Sequence, residues 1–231
     1  MQDIYTSKGT SLHQINALAE WVRISVARVN DGTLDVIRFV ELDLPKIIPG
    51  LHLEIESDDL MGRTRAYVRA DGIGIVVAES IYNSAVGGCL SATETILHEI
   101  GHIFLHRTYA YKDLNDSRGI YTKQFHTMGP MNIAEWQARM FAFCMLFPYS
   151  VYGKYTDRLQ IQVYTNYSIS ICEKIARHVR LMRLREADYK PEKTKEFLQK
   201  ILASNRIGQQ AANQPETAQI QLSFFYNQKT V

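Results

Sequence analysis

The sequence predicts an α+β fold, a small antiparallel β-sheet packed with a helical core and C-terminal helices. Three observations carry this expectation. Apolar residues recur at helical spacing over several long stretches, and they alternate with polar residues only between positions 51 and 79. The 231 residues also suffice to bury a substantial core without disulfides or a structural metal. Length alone allows one large domain or two small ones.

Residues 11–29 place Leu12, Ile15, Leu18, Ala19, Val22 and Val26 on one face of an amphipathic helix. A short second helix is expected over 33–43, ended by Pro45 and the Pro49-Gly50 turn. The period then changes. Leu51, Leu53 and Ile55 alternate with His52, Glu54 and Glu56, a half-buried strand. Thr64–Ala70 and Ile73–Glu79 flank Asp71-Gly72, the strongest short-range hairpin signal, so 51–79 reads as the antiparallel sheet. Ser91-Ala-Thr-Glu94 ahead of an apolar run is a capping box, opening a helix expected to reach about Arg107. Residues 108–131, rich in Tyr, Asp, Asn and Gly, read as a long loop closed by Gly129-Pro130. A helix over 132–147 stops at Pro148, and 168–187 and 191–203 read as two more.

The expected organisation is a core over 1–150, a helical region over 151–203 and a Gln/Asn-rich tail over 204–231. The tail is expected to be poorly ordered, with Phe224-Phe225-Tyr226 as an apolar patch able to dock. No run approaches the 18 apolar residues of a membrane span, and the N-terminus lacks the apolar core of a signal peptide. Membrane insertion and secretion by that route are not expected. Cys89, Cys144 and Cys172 are odd in number and form no CxxC pair, which points to a reducing cytoplasm rather than a disulfide framework. The net charge of +2 hides a gradient: residues 1–90 carry 8 Lys/Arg against 12 Asp/Glu, whereas 173–206 carry 10 against 5. A basic C-terminal third hints at an acidic partner, protein or nucleic acid.

The chemistry is concentrated in His98-Glu99-Ile100-Gly101-His102, an HExxH motif on a predicted helix. One turn separates the two histidines, so both imidazoles can converge on a metal, while Glu99 can serve as general base toward water beside it. With 7 His and 13 Glu in the chain, chance supplies roughly 0.01 such matches. A catalytic zinc takes three protein ligands and keeps one position open. A third His six residues on would complete one common pattern, but that position is Thr108. His106 lies eight residues beyond His98, about 12 Å along the axis, too far to share its metal, and is placed behind the ligands or on the surface. Glu135 is the best third ligand. Ala138 and Ala142 share its helix face, and these small residues, with Gly101 opposite, allow the two helices to approach closely.

His98-Glu-Ile-Gly-His-Ile-Phe-Leu-His106, followed some 30 residues later by Glu135-xx-Ala-xx-Phe-Ala-xxxx-Phe-Pro148, resembles the ImmA/IrrE zinc metallo-endopeptidases, a gluzincin-like family. The strand Gly74-Ile-Val-Val-Ala is also similar to that family, and the specific motifs span about residues 73–148. The resemblance implies a zincin-like core, zinc ligands at His98, His102 and Glu135, and catalysis by Glu99. Zn2+ is the implied ion, with Mn2+ or another divalent ion able to serve in the cell. It further implies a bacterial, phage or mobile-element protease that cleaves a helix-turn-helix transcriptional repressor in a stress response. No such repressor motif is read at the N-terminus, so the repressor is expected to be a separate protein.

A second oxyanion donor is expected from the loop beside the site, and Tyr109, Tyr111, Tyr121 and His126 are the candidates. Spacing does not choose among them. Lys174, Arg177, Arg180, Arg183 and Arg185 surround an apolar stripe of Ile171, Ile175, Val179 and Met182. They read as a solvated face, or else as a docking surface for an acidic partner or for nucleic acid. Two rival functions stand beside the protease: a zinc-fold regulator that sequesters a repressor without cutting it, and a zinc hydrolase acting on a non-peptide bond.

Overall fold

The computed structural model describes residues 9–29, 32–69, 71–116, 131 and 133–204. The fold is mixed α+β, with helices built around a three-stranded sheet. Helix α1 (Leu12–Trp21) opens on a capping box: the Ser11 hydroxyl accepts from the Gln14 backbone N–H at 3.3 Å, and the Gln14 side chain accepts from the Ser11 N–H at 3.0 Å. It runs into a wider π-type turn over Val22–Val26, so the predicted helix is present with its last turns loosened. The expected second helix is a short α2 (Val36–Arg38), continued by another π-type turn, Phe39–Asp43.

The sheet consists of β1 (His52–Glu56), β2 (Ala66–Val68) and β3 (Gly74–Ala78) in the order β1-β3-β2. It is mixed rather than antiparallel, which corrects the expectation. The β2–β3 hairpin is as predicted: Gly72 takes φ 71°, and the Asp71 carboxylate accepts from the N–H groups of Ile73 and Gly74. After β1, however, the chain turns through α3 (Asp58–Met61) and Gly62 before running back as β2. β3 then inserts between the two and runs parallel to β1, with His52 opposite Gly74 and Glu56 opposite Ala78. Alternation reveals an extended segment but not the direction of its neighbour. All of Gly74–Ala78 is buried, as a central strand covered on both faces requires. Ile75 and Val77 face the main core, while Val76 and Ala78 pack with Met61.

After α4 (Glu79–Val86), the long helix α5 (Leu90–Asp116) crosses the core. Its first helical bond runs from the Thr93 N–H to the Cys89 carbonyl. The helix thus begins before Ser91, whose hydroxyl accepts from Arg65 at 3.3 Å instead of capping. At its other end α5 continues nine residues past the expected stop. The segment after Arg107 is polar but contains neither Gly nor Pro before Asp116, and polarity alone does not end a helix. Helix α6 (Ala134–Leu146) packs against both α5 and α1.

Helices α7 (Tyr149–Tyr152), α8 (Arg158–Thr165) and α9 (Ile169–Leu184) gather a smaller core of Phe147, Tyr152, Ile161, Cys172, Ile175 and Val179. α10 (Pro191–Ser204) returns to the main core through Leu198 and Ile201. On α9 the predicted stripe is inward, with Ile171 half-buried, whereas Lys174 and Arg177 are exposed. Arg180 pairs with Glu173 at 3.0 Å, and Arg183 donates to the carbonyls of Gly153 and Tyr155. No helix among the described residues is long and apolar enough to cross a membrane. The Phe224-Phe225-Tyr226 patch and the tail from 205 onward lie outside the described residues.

Within the smaller core, His178 is 5% exposed, beside the Phe143 ring and 3.8 Å from the Cys144 sulfur. Burial, with a smaller contribution from His13, pushes its pKa down to about 4. Folded His178 is therefore neutral where an unfolded histidine is already protonated. Its contribution to stability is complete above pH 6.5 and is lost as pH falls toward 4, about 3 kcal/mol in all. Urea unfolding across that interval is expected to show stability rising with pH, and His178→Leu is expected to flatten the rise.

Candidate metal centre

The site lies where α5 crosses α6, and the crossing is closed by small residues. A Cβ built on Gly101 would lie 3.0 Å from both the Cα and the carbonyl oxygen of Ala138 and 3.2 Å from the Phe141 ring. Ala138 and Ala142 are fully buried. The close approach expected from Gly101, Ala138 and Ala142 is therefore found, and it brings the first turn of α6 over the HExxH face of α5. Gly101→Ala gains up to ~1 kcal/mol of helix propensity. It also forces a methyl against backbone that no side-chain rotation can clear, at about 1–3 kcal/mol. The expected net result is destabilisation, read as a Tm lower by a few degrees.

At the crossing, His98, His102 and Glu135 present ligand atoms that all lie within 4.8 Å of one another. His98 Nε2 lies 3.1 Å from His102 Nε2 and 3.2 Å from Glu135 Oε2, and His102 Nε2 lies 3.3 Å from Glu135 Oε1. A tetrahedral ion bound at roughly 2.0–2.1 Å keeps neighbouring ligand atoms roughly 3.3 Å apart. The three side chains thus have the separations that one small cation requires, and the two-imidazole, one-carboxylate donor set suits zinc. The protonation states agree. Glu135 is held down to about 2, chiefly by its hydrogen bond with His102, and burial pushes His98 below the usual imidazole range. A carboxylate and an unprotonated imidazole are the forms that bind metal.

Glu99 follows His98 on α5 and is half-buried. Desolvation raises its pKa to about 7, opposed by the charge of His102 and reinforced by that of Glu135. The Val68 backbone N–H donates to its carboxylate, which ties it to β2. Glu99 is thereby held beside the cluster without being one of its converging side chains.

Behind the three converging side chains lie two residues of which sequence reasoning found one. His106 is 9% exposed, with Nδ1 3.0 Å from His102 Nδ1. It backs His102 instead of joining the cluster. Its pKa is pushed down to about 4, mainly by burial. Its Nε2 lies 2.9 Å from Gln137 Oε1, and Gln137 in turn donates to the Met131 carbonyl at 2.6 Å. Gln137 has no spacing signal of its own; its one clue is a polar residue inside the apolar run of α6. Tyr109 and Tyr111 fall on α5, their side chains outside what is described, and Tyr121 and His126 lie outside the described residues. Comparison with family models, curated proteins and solved structures finds no match to this chain.

Proposed function

We propose that the protein is a zinc-dependent endopeptidase that cleaves a helix-turn-helix transcriptional repressor, relieving repression in a stress or mobile-element response. The observation that carries this reading is the convergence of His98, His102 and Glu135 with Glu99 held alongside. A divalent ion held by those three residues supplies Lewis acidity, polarising a carbonyl and making water more acidic. Zinc fits the donors best, and manganese or another divalent ion can serve in the cell.

Glu99 takes the proton from the attacking water and returns it to the departing amine. A carboxyl near pKa 7 is matched to that exchange at neutral pH, because it neither holds nor refuses the proton strongly. The preference for a peptide has a structural support besides the family resemblance. β2 is an edge strand, and its bonds to β3 from Arg65 and Arg69 direct those residues inward. Ala66 and Val68 therefore turn their backbone groups outward, toward the Glu99 side. An extended peptide added at that edge would pass the cluster with its carbonyls in reach. The choice of a DNA-binding repressor as substrate rests on the resemblance alone.

The test compares wild type with Glu99→Gln in a lysate of the source cell and sequences newly formed protein N-termini. One site in one DNA-binding protein, cut by wild type alone, is the expected result. Identical N-termini with metal bound to both proteins would replace the protease by the sequestering regulator.

A further inference from the structure

We infer that a groove on the outer face of α8 is a docking site for an acidic peptide segment of a partner protein, one that carries large apolar side chains among Asp and Glu. The groove belongs to the smaller core, so the inference does not depend on the metal reading. Helix α8 buries Ile161 in that core but turns Leu159 and Val163, four residues apart, toward solvent. Val163 is 90% exposed, Leu159 61% and Tyr164 50%, and an apolar concentration of this kind marks an interaction surface. With Lys154, Tyr155 and Gln160 they line an open groove of about 910 Å³, large enough to take side chains of a bound peptide. Its walls are fixed before anything binds. The Tyr155 and Tyr164 rings lie 5.1 Å apart, and Tyr164 meets the buried Tyr152 edge-on. Asp157 caps α8 through the N–H groups of Leu159 and Gln160. The Gln160 side chain accepts from Thr156, and Arg183 of α9 donates to the Tyr155 carbonyl.

Charge selects the occupant. The Lys154 ammonium lies 5.2 Å from both tyrosine ring centroids, at the groove itself. Arg158 at the start of α8 meets Glu173 of α9 at 3.5 Å, and Arg180 meets the same carboxylate at 3.0 Å. Exposed Arg177 lies between Glu173 and Arg180 on that face of α9. Lys154, Arg158, Arg177 and Arg180 thus border an apolar groove beside which Asp157 and Glu173 are already engaged, one by the helix cap and the other by two arginines. An acidic peptide with apolar side chains satisfies both features. Duplex nucleic acid would set its phosphates against a hydrocarbon floor, and a lipid surface is flat where the groove is concave. A second copy in a two-fold contact would place the same cations against one another. The chain's own segment 205–231 includes Phe224-Phe225-Tyr226 but carries Arg206 and Lys229 against Glu216 alone, so it lacks the complementary charge.

The experiment selects binders to the immobilised full chain from a library of random peptides about a dozen residues long, and measures their affinity by fluorescence anisotropy. Recovered sequences are expected to combine Asp or Glu with Leu, Phe or Trp. Val163→Glu should weaken their binding roughly 10-fold or more. Lys154→Glu should also weaken it, by a factor that shrinks in about 1 M salt, where the screening length falls to about 3 Å. Both side chains are exposed, so the variants are expected to fold as wild type by circular dichroism. A library that yields no binder, binders without acidic residues, or affinities indifferent to Val163→Glu would overturn the inference. Four further results would overturn it by giving the groove another occupant. These are tighter binding of a DNA duplex lost in Lys154→Glu, tighter binding of phosphatidylserine vesicles lost in Val163→Glu, a dimer that Val163→Glu converts to monomer, and peptide affinity that rises when Phe224, Phe225 and Tyr226 are all changed to Ser.

Discussion

Glu135→Gln is expected to weaken divalent-metal binding by more than 100-fold while leaving the protein folded. Loss of a hydrogen-bonding partner behind a ligand typically costs 10–100-fold, and a ligand that also supplies the negative charge must cost more. The substitution keeps the shape of the side chain and removes only its charge. Glu135 sits in the first turn of α6, where a carboxylate favours the helix N-terminus by about 0.3–1 kcal/mol, and the loss of its charged contacts with His98 and His102 adds to that, so the metal-free variant is expected to be less stable than wild type. The pH dependence is equally specific. With its pKa down near 2, the Glu135 carboxylate remains charged through the acid range, and the proton that competes with metal is taken by imidazole instead. Affinity in wild type should therefore fall as pH drops through the imidazole range, with burial shifting the onset at His98 downward. Isothermal titration with Zn2+ or Co2+ at several pH values measures both effects. A Glu135→Gln protein that binds as tightly as wild type would show that the third ligand lies elsewhere.

The site was more legible than the sheet that flanks it, and the reason is physical. Two histidines four apart must share a helix face, and a glycine between them must answer to something close by. His98, His102, Gly101 and the facing Ala138 and Ala142 thus specify one helix crossing from spacing alone. Glu135 follows because the same small residues bring its turn of α6 to the motif. Strand pairing carries no comparable constraint. Alternation at Leu51, Leu53 and Ile55 reveals an extended segment, but whether β1 meets β2 or β3 depends on how the chain returns through α3 and Gly62. Ile55 is also 49% exposed, so the alternation overstated how far that strand is buried. The short helices α3, α4, α7 and α8 have four to eight residues, too few for a 3.6-residue period to stand out. Gln137 escaped for a different reason. Its contacts are with a backbone carbonyl and a side chain of the neighbouring helix, which no local pattern encodes.

Glu99→Gln is the substitution that separates catalysis from binding, because the two readings of the cluster differ only in their need for a base. Gln is nearly isosteric with Glu and can still accept from the Val68 N–H, so the tie to β2 survives. It cannot take up a proton. A hydrolase is therefore expected to lose 10²–10⁴-fold in turnover, the usual contribution of a positioned general base, with metal affinity nearly unchanged. The stability change should if anything be favourable near neutral pH. Burial raises the Glu99 pKa to about 7, so ionising the folded protein above its unfolded value near 4.5 costs free energy that an uncharged amide does not. Wild type should thus gain stability relative to Glu99→Gln as pH falls from 7 toward 4.5, opposite in sign to the histidine effect at His178. A chain that only sequesters a partner has no use for a half-buried acid held at that cost beside the His98, His102 and Glu135 cluster. Its partner binding would be the same in wild type and Glu99→Gln, and so would its effect in the cell. Loss of cleavage with retained metal and raised stability is the combined signature expected of a general base.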